Sequence, residues 1–274
     1  MTDLTKAYQI AALAVRQRFA EQHPDYLTVL DALKSEQVAV YKGSFDQAEA
    51  VLRNLNIPIK LDPEPHKLET PIVFINCSSE YNEALIDNIA AHVSQGAWLV
   101  SSDWALSHVV SKAFPGMVEW TQRQTDTEII SVEPNLNSLW SEIVVLGADP
   151  QWWLWGSHPI KVLNPDKVRI EAASHDLLKR YDAPVVAVSF DWGKGQVFHV
   201  ISHFWAKSSD VPTLRHQGPY MDFLKAGMRL SEEGIEKIIS QSQVAPDEVN
   251  FAMLQSAATA TELVAQLCVR AVQN

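Results

Sequence analysis

Apolar residues between residues 37 and 116 fall into short runs that alternate with amphipathic stretches of helical spacing. The runs read QVAVY (37–41), IPIKL (57–61), PIVFINC (71–77) and AWLVS (97–101). PIVFINC is apolar almost throughout, as expected of a parallel strand that is covered on both faces. The alternation predicts an α/β fold with a flavodoxin-like, doubly wound and mostly parallel sheet.

The helices between these strands carry recognisable end signals. Ser44 is the predicted N-cap of a helix over residues 45–56. A second helix is predicted from Asn82 to Gln95, with Gly96 at its C-cap. A third helix is predicted from Asp103 to Lys112, directly after the strand AWLVS.

Both ends of the chain are predicted to be helical extensions of one domain. Residues 1–36 form an N-terminal extension broken at His23-Pro24, residues 37–219 form the α/β domain, and residues 220–274 form helices that pack on it. The acidic faces of these helices are expected to be solvated, and their apolar stripes to cover the sheet or another subunit. A homodimer through the terminal helices is therefore predicted. The stripes comprise Leu224, Met228, Ile235, Ile238, Ile239, Leu254, Leu263 and Leu267.

The segment between residues 117 and 219 is less regular. TEIISVE (127–133) and SEIVVLG (141–147) are strand-like and are predicted to form an antiparallel excursion. QWWLWGSHPIKVL (151–163) is interpreted as a tryptophan-rich loop. APVVAVSFDWGKGQVFHVISHF (183–204) predicts a hairpin that turns at residues 191–195.

Composition narrows the classes of partner. Hydrophobic residues make up 47% and charged residues 20%, an ordinary globular balance, and the formal net charge is −11. A net negative charge argues against nucleic acid or an anionic membrane as a partner. No apolar run approaches the roughly 18 residues that a membrane span needs. Two cysteines do not make a disulfide framework, so a reduced, cytoplasmic setting is expected.

The stretch SSDWA places Asp103 where a strand turns into a helix. In open α/β sheets ligands bind beyond the carboxyl ends of the strands, so a small molecule or a protein segment is expected here. Asp103 is a candidate nucleophile, general base or metal ligand, and equally a candidate helix N-cap. Trp104 and Asn76, which also follow strands, are candidate ligand-binding residues.

Histidines and tryptophans later in the chain supply further candidates. His203 suits a general base or a metal ligand, or it is a buried histidine satisfied by one carbonyl. Trp155 and His158 lie in the tryptophan cluster WWLWGSHP, which either binds a ligand by stacking or packs a loop, with Asp191-Trp192 as a possible partner. Asp103, His158 and His203 could together hold zinc or iron, although these three residues lie far apart in the sequence and at no short metal-binding spacing from one another. No particular cofactor is indicated.

Cys77 ends the most buried strand. A thiol at such a position is usually a small apolar filler. A reactive thiolate would need a cation or a helix N-terminus nearby, and the following helix could supply the latter.

Three stretches resemble the class I glutamine amidotransferase-like superfamily, and within it the ThuA-like branch. They are VFINCSSEYNEALIDNIAAHVSQGAWLVSSDWAL, the FPG that ends the next helix, and WGKGQVFHVISHF. ThuA-like proteins have a G-G-x-L-V strand and a late G-K-G-R-V strand that ends near a Gly-His pair; QGAWLV and GKGQVFHVISH match these pieces. The resemblance covers roughly residues 37 to 206 and implies a flavodoxin-like sheet.

The resemblance does not include the amidotransferase catalytic triad. True members carry G-x-C-x-G at the strand-to-helix turn, where this chain has SSDWA, and Cys77 lies one strand earlier. The matching histidine is His203 in the ThuA-like alignment, or His199 if GQVFH is compared with Q-F-H-P-E. The chain is thus expected to be a ligand-binding or regulatory module, or alternatively a ThuA-like hydrolase of sugar-like substrates with Asp103 and His203 as acid/base groups or metal ligands.

Overall fold

The computed structural model describes residues 4–135, 138, 151–209, 214–245 and 247–273. Strands β1 to β12 are Val38–Tyr41, Lys60–Leu61, Ile72–Ile75, Trp98–Ser102, Val118–Trp120, Thr127–Ser131, Glu133–Pro134, Gln151–Trp155, Ile160–Val162, Arg169–Ala173, Val185–Trp192 and Gly195–Val200. Helices α1 to α9 are Thr5–Gln22, Pro24–Ala32, Ala48–Asn54, Glu83–Ser94, Ser111–Ala113, His175–Tyr181, Tyr220–Asp222, Glu232–Ser242 and Phe251–Gln273. Wide π turns occupy Leu106–Val110 and Phe223–Gly227.

The main sheet has the strand order β2-β1-β3-β4-β12-β11-β10-β7. The first five strands in this order are mutually parallel, and β11, β10 and β7 are each antiparallel to their neighbour. The molecule is therefore an α/β protein with a mostly parallel sheet, as the alternating pattern predicts. Strands β1, β3 and β4 are buried along their whole length, because helices cover them.

The helices form two packed groups. Helices α1, α3 and α9 contact one another, whereas α4 contacts α5 and strands β4, β11 and β12. Helix α4 begins at Asn82, whose side chain accepts a hydrogen bond from the Leu85 backbone N–H. The predicted cap of α3 is wrong: that helix starts after Gln47, and Ser44 lies three residues before this point with an exposed side chain.

The predicted hairpin is confirmed as β11 and β12, which turn between Trp192 and Gly195. The predicted tryptophan loop is wrong over Gln151–Trp155, which forms β8 and pairs antiparallel with β6. Its tryptophans obscure the alternation typical of a strand, because both faces carry large apolar side chains. The other strand-like run, residues 141–147, lies outside the described residues.

The N-terminal break at His23-Pro24 is confirmed, since α1 ends at Gln22 and α2 begins at Pro24. The prediction that the C-terminal helix has a solvated face is wrong. Helix α9 is buried on every side from Phe251 to Val269, including polar residues such as Glu262. Its sequence is rich in alanine, which lets neighbouring helices approach all around it.

Most of the predicted apolar stripe is buried inside the chain. Leu224, Met228, Ile238, Leu254, Leu263 and Leu267 all belong to one cluster of buried side chains that extends from α1 through the sheet to α9. Because these residues are buried inside one chain, they cannot also form a dimer interface. The homodimer itself remains a prediction. No helix among the described residues has the length and apolarity needed to cross a membrane.

Candidate functional site

Asp103 lies directly after β4, at the carboxyl edge of the parallel strands. Its backbone N–H donates to the Val200 carbonyl at 2.8 Å, and its φ of +45° is left-handed. Aspartate is one of the few non-glycine residues that tolerate this conformation. The turn thus directs the Asp103 side chain into the protein, where the residue is fully buried.

The Asp103 carboxylate holds the segment that follows β8. Oδ1 accepts a hydrogen bond from the His158 backbone N–H at 2.8 Å, and Oδ2 accepts one from Ser157 Oγ at 3.2 Å. These bonds replace the predicted helix N-cap, because the carboxylate points away from its own helix. Asp103 therefore positions the chain that follows the tryptophan strand.

Cys77 and His203 complete a buried cluster around Asp103. Cys77 Sγ lies 3.7 Å and His203 Nε2 lies 3.4 Å from Asp103 Oδ2. Burial raises the pKa of Asp103 well above its usual value, and burial lowers the pKa of His203. Burial and the neighbouring Asp103 carboxylate likewise raise the pKa of the Cys77 thiol. All three groups are therefore biased toward their neutral forms.

His158 does not join this cluster through its ring. The imidazole stacks between Trp120 and Trp104, with ring centroids 4.2 Å and 5.1 Å away, and its Nδ1 lies 2.9 Å from Ser107 Oγ. Burial, followed by the nearby His108, lowers the pKa of His158 to about 4. The predicted grouping of Asp103, His158 and His203 is thus wrong in one member, and Cys77 takes the place of His158.

Of the two candidate histidines, only His203 lies beside Asp103. His199 is fully buried within β12, and its Nδ1 lies 2.9 Å from Ser101 Oγ on the adjacent strand. Burial lowers the pKa of His199 to about 3. Sequence comparison could not choose between these positions, but the register of β12 against β4 places His199 inside the sheet and His203 beyond it.

A cavity of about 400 Å³ opens beside the buried cluster. Its walls come from the carboxyl ends of three parallel strands and from β8: Phe45 follows β1, Cys77 follows β3, Trp104 follows β4, and Trp155 ends β8. The Phe45 ring meets the Trp155 ring edge-on at 5.0 Å and lies 6.3 Å from Trp104. The polar rim consists of Gln124, Thr125, Asp126 and Thr127.

The tryptophans of the cluster divide into two roles. Trp152 and Trp153 are buried and pack the strand onto the core, whereas Trp155 is 37% exposed at the cavity. Lys207 Nζ lies 4.5 Å above the Trp155 ring. The expected partner at Asp191-Trp192 is wrong, because Trp192 packs against Phe114 at 5.3 Å on another part of the sheet.

Asn76 does not line the cavity. Its Nδ2 donates to Glu49 Oε2 at 2.8 Å and its Oδ1 accepts from the Ala48 N–H, so the side chain anchors α3. Sequence analysis missed Asp46, which is fully buried and accepts hydrogen bonds from four donors. The sequence feature that could have identified Asp46 is its position shortly after an apolar strand, and many exposed carboxylates share this feature.

Comparisons with known proteins place the chain only at the level of distant structural likeness. Neither a family model nor a curated protein sequence matches it. A β-galactosidase from Rahnella sp. R3 has TM-score 0.44 and 14% identity, over 62% of this chain and 29% of that one. A ThuA-like protein from Bacteroides uniformis ATCC 8492 has TM-score 0.46 and 11% identity, over 62% and 83%. A β-galactosidase from Bacillus circulans sp. alkalophilus has TM-score 0.43 and 14% identity, over 81% and 34%.

The aligned region thus spans about a third or less of the two galactosidase chains. These likenesses are too low to assign an activity or a substrate to this chain.

Proposed function

We propose that the protein is a binding module for a small molecule with one flat apolar face, which stacks in the aromatic cavity. The single observation that carries this proposal is the grouping of Phe45, Trp104 and Trp155 around a space of about 400 Å³. That volume lies within the roughly 300–1,000 Å³ typical of small-ligand sites. The cavity also lies beyond the carboxyl ends of parallel strands, where open α/β sheets bind ligands.

The chemistry of the walls defines the class of ligand. Indole faces attract the C–H face of a sugar, an aromatic ring or a cationic group. The rim residues Gln124, Thr125 and Asp126 offer hydrogen-bond donors and acceptors to hydroxyl or amide groups at the ligand's edge. Trp104 is held in place because its Nε1–H donates to the Gly156 carbonyl at 3.1 Å. A sugar-like or small aromatic ligand satisfies these features.

The position of Asp103 favours binding over catalysis. Both carboxylate oxygens already accept hydrogen bonds from residues 157 and 158, and the side chain is buried below the cavity wall. A group that must exchange protons with a bound substrate needs to reach it directly or through one water. Asp103 instead supports the segment that carries Trp155 and Gly156.

We further propose that the chain is a triad-free relative of the ThuA-like branch. Support comes from the quoted motifs and from the parallel strand order β2-β1-β3-β4-β12, which has the pattern 2-1-3-4-5 of flavodoxin-like sheets. The two groups of helices fit a doubly wound arrangement. The elbow SSDWA lacks the nucleophilic cysteine, in agreement with a binding role.

A direct test is a thermal-shift screen with neutral monosaccharides, nucleosides and small aromatic amines, followed by calorimetric titration of any hit. Trp155→Ala is expected to weaken binding at least about tenfold, which corresponds to about 1.4 kcal/mol. Trp192→Ala is the matched control, because it removes an indole far from the cavity. A ligand that binds Trp155→Ala as tightly as the wild type would contradict the proposal.

A second candidate function is a hydrolase acting on sugar-like esters or amides. The observation that favours it is the 3.4 Å approach of His203 Nε2 to Asp103 Oδ2. Under this alternative, Asp103→Asn and His203→Gln would each abolish turnover of sugar acetates, and His203→Gln would leave ligand affinity nearly unchanged. Absence of turnover by the wild-type protein across such a panel would remove this candidate.

A further inference from the structure

Three potential metal ligands converge from three neighbouring strands. Cys77 follows β3, Asp103 follows β4 and His203 follows β12, and these strands lie side by side and parallel. Because parallel strands end at the same edge, residues distant in sequence meet there. One ligand atom from each residue lies within 4.8 Å of the other two, and all three residues are buried.

The spacing of these atoms fits a small tetrahedral ion. Zinc bonds of about 2.0–2.1 Å to nitrogen or oxygen and about 2.3 Å to sulfur imply edges of roughly 3.3 Å for N···O and roughly 3.5 Å for S···O. The observed separations from Asp103 Oδ2 are 3.4 Å to His203 Nε2 and 3.7 Å to Cys77 Sγ. The third pair, Cys77 Sγ and His203 Nε2, lies within 4.8 Å, so side-chain adjustments would complete the geometry.

His203 supplies an independent sign that a ligand is expected. The residue is only 2% exposed, yet neither ring nitrogen has a hydrogen-bond partner among the residues that the structure describes. The 3.4 Å contact of Nε2 with Asp103 is close enough for electrostatic attraction but lacks hydrogen-bond geometry. Leaving a buried imidazole unsatisfied costs free energy, which coordination by a metal ion would recover.

We propose that Cys77 Sγ, Asp103 Oδ2 and His203 Nε2 form a binding site for a divalent transition-metal ion, with zinc as the expected ion. One thiolate and one imidazole favour zinc over magnesium or calcium, which take oxygen ligands. Three protein ligands leave a fourth position open, and Cys77 lines the cavity from which a water or ligand atom could fill it. The bound ion would form part of the cavity floor.

The surroundings provide outer support for such a site. Ser157 Oγ and the His158 N–H orient the Asp103 carboxylate, and the Trp104 backbone N–H faces the Cys77 sulfur. The Trp153 ring packs 5.3 Å from the His203 ring and restricts its rotation. Outer partners of this kind commonly change metal affinity by 10–100-fold.

The test is a titration of chelator-stripped full-length protein with Zn²⁺ in competition with a chromophoric chelator. We expect one equivalent per chain in the wild type and at least about 100-fold weaker binding for Cys77→Ser and His203→Gln, since ligands contribute more than outer partners. Cys268→Ser is the matched control: it removes the other buried cysteine, in α9, and should bind like the wild type. Ser157→Ala, which leaves all three ligands, should weaken binding roughly tenfold.

Substitution with Co²⁺ gives a second readout, because a thiolate ligand produces a charge-transfer absorption in the near ultraviolet. That band should appear in the wild type and in Cys268→Ser and vanish in Cys77→Ser. Circular dichroism checks that each variant is folded. If Cys77→Ser or His203→Gln does not fold, Ser157→Ala still tests the proposal, because it keeps all three metal ligands. Absence of a one-equivalent site in the wild type, or equal affinity in folded Cys77→Ser, would overturn the proposal.

The metal proposal does not rest on the proposed ligand binding. Loss of zinc in His203→Gln, a position outside the cavity lining, with ligand affinity unchanged would support the metal site alone. Loss of ligand binding in Trp155→Ala with zinc affinity unchanged would support the cavity alone. Each failure is thus distinguishable from the other.

Discussion

At the scale of single residues, Asp46 connects three segments around the candidate site. Its carboxylate accepts hydrogen bonds from Ser102 Oγ at 2.6 Å and from the backbone N–H groups of Gln47, Phe204 and Trp205 at 2.7 to 3.0 Å. The same carboxylate therefore fixes the ends of β1, β4 and β12 relative to one another. A buried charge with this many donors is stabilised by them, and the donors depend on it in turn.

Asp46→Ala should lower the free energy of unfolding by at least about 3 kcal/mol, because several buried donors lose their acceptor at about 1–3 kcal/mol each. Chemical denaturation of the wild type and the variant measures the difference. Asp191→Ala is the control, since Asp191 is exposed and its carboxylate accepts a hydrogen bond from the Gln196 side chain; its effect should stay within about 0.5 kcal/mol. A similar loss in both variants would contradict the role of Asp46.

Gly43 lets the loop after β1 approach the end of β3. A Cβ atom at this position would lie 2.2 Å from the Cys77 carbonyl oxygen, which accepts hydrogen bonds from the Phe45 and Asp46 N–H groups. The backbone on both sides is held by these bonds, so the clash cannot be relieved by a side-chain rotation.

Gly43→Ala is expected to destabilise the protein by about 1–3 kcal/mol and to displace the Phe45 wall of the cavity. Ser44→Ala is the matched control next to it. If Ser44 capped α3, its loss would cost about 1 kcal/mol, whereas the structure predicts a change below about 0.5 kcal/mol. Thermal unfolding of both variants separates the two cases, and a larger loss for Ser44→Ala would reverse this interpretation.

At the scale of elements, helix α9 behaves as a central core helix. It contacts α1, α2 and α3, and its buried residue Glu262 pairs with Arg18 of α1 at 2.5 Å. Burial raises the pKa of Glu262 to about 7, even though Arg18 acts in the opposite direction. The folded state therefore binds a proton that the unfolded chain releases above the usual pKa of 4.5.

Stability should consequently fall as the pH rises. A carboxyl group with a raised folded-state pKa contributes its full stability below about pH 4.5 and loses it as the pH passes 7, by about 3 kcal/mol in all. Urea unfolding between pH 5 and pH 8 measures this slope. Glu262→Gln should flatten it, while Glu236→Gln, at an exposed position of α8, should leave it unchanged. An unchanged slope in Glu262→Gln would assign the pH dependence to another group.

At the scale of the whole molecule, the terminal helices and the sheet share one apolar core. Buried side chains of α1, β1, β3, β4 and α9 belong to the same cluster. The Tyr8 hydroxyl also donates to the Phe204 carbonyl and accepts from the Ala206 N–H, which ties α1 to the chain just after His203. The N- and C-terminal helices thus help to hold the chain around the candidate site in place.

A chain that lacks residues 247–274 should therefore not unfold cooperatively, because removing α9 exposes the core faces of α1 and α3. Differential scanning calorimetry provides the measurement. A chain that lacks only residues 273 and 274 is the control and should retain the wild-type transition, since Gln273 is exposed. A normal transition in the longer deletion would make α9 an independent extension.

What the sequence by itself determined was the local pattern: strands at 38–41, 72–75 and 98–102, the hairpin of β11 and β12, and the place of Asp103 at a strand end. Periodicity and turn residues carry this information because they depend on neighbours along the chain.

Only the tertiary structure determines which residues lie together at the carboxyl edge of the parallel strands. Pairing of β6 with β8, enclosure of α9, and the approach of Cys77 and His203 to Asp103 depend on contacts between segments far apart in the chain. A residue's pattern cannot specify such contacts, since the same carboxylate can cap a helix, anchor a loop or hold a metal ion. The burial of Asp103 and the shared edge of the parallel strands β3, β4 and β12 determine which residues its carboxylate contacts.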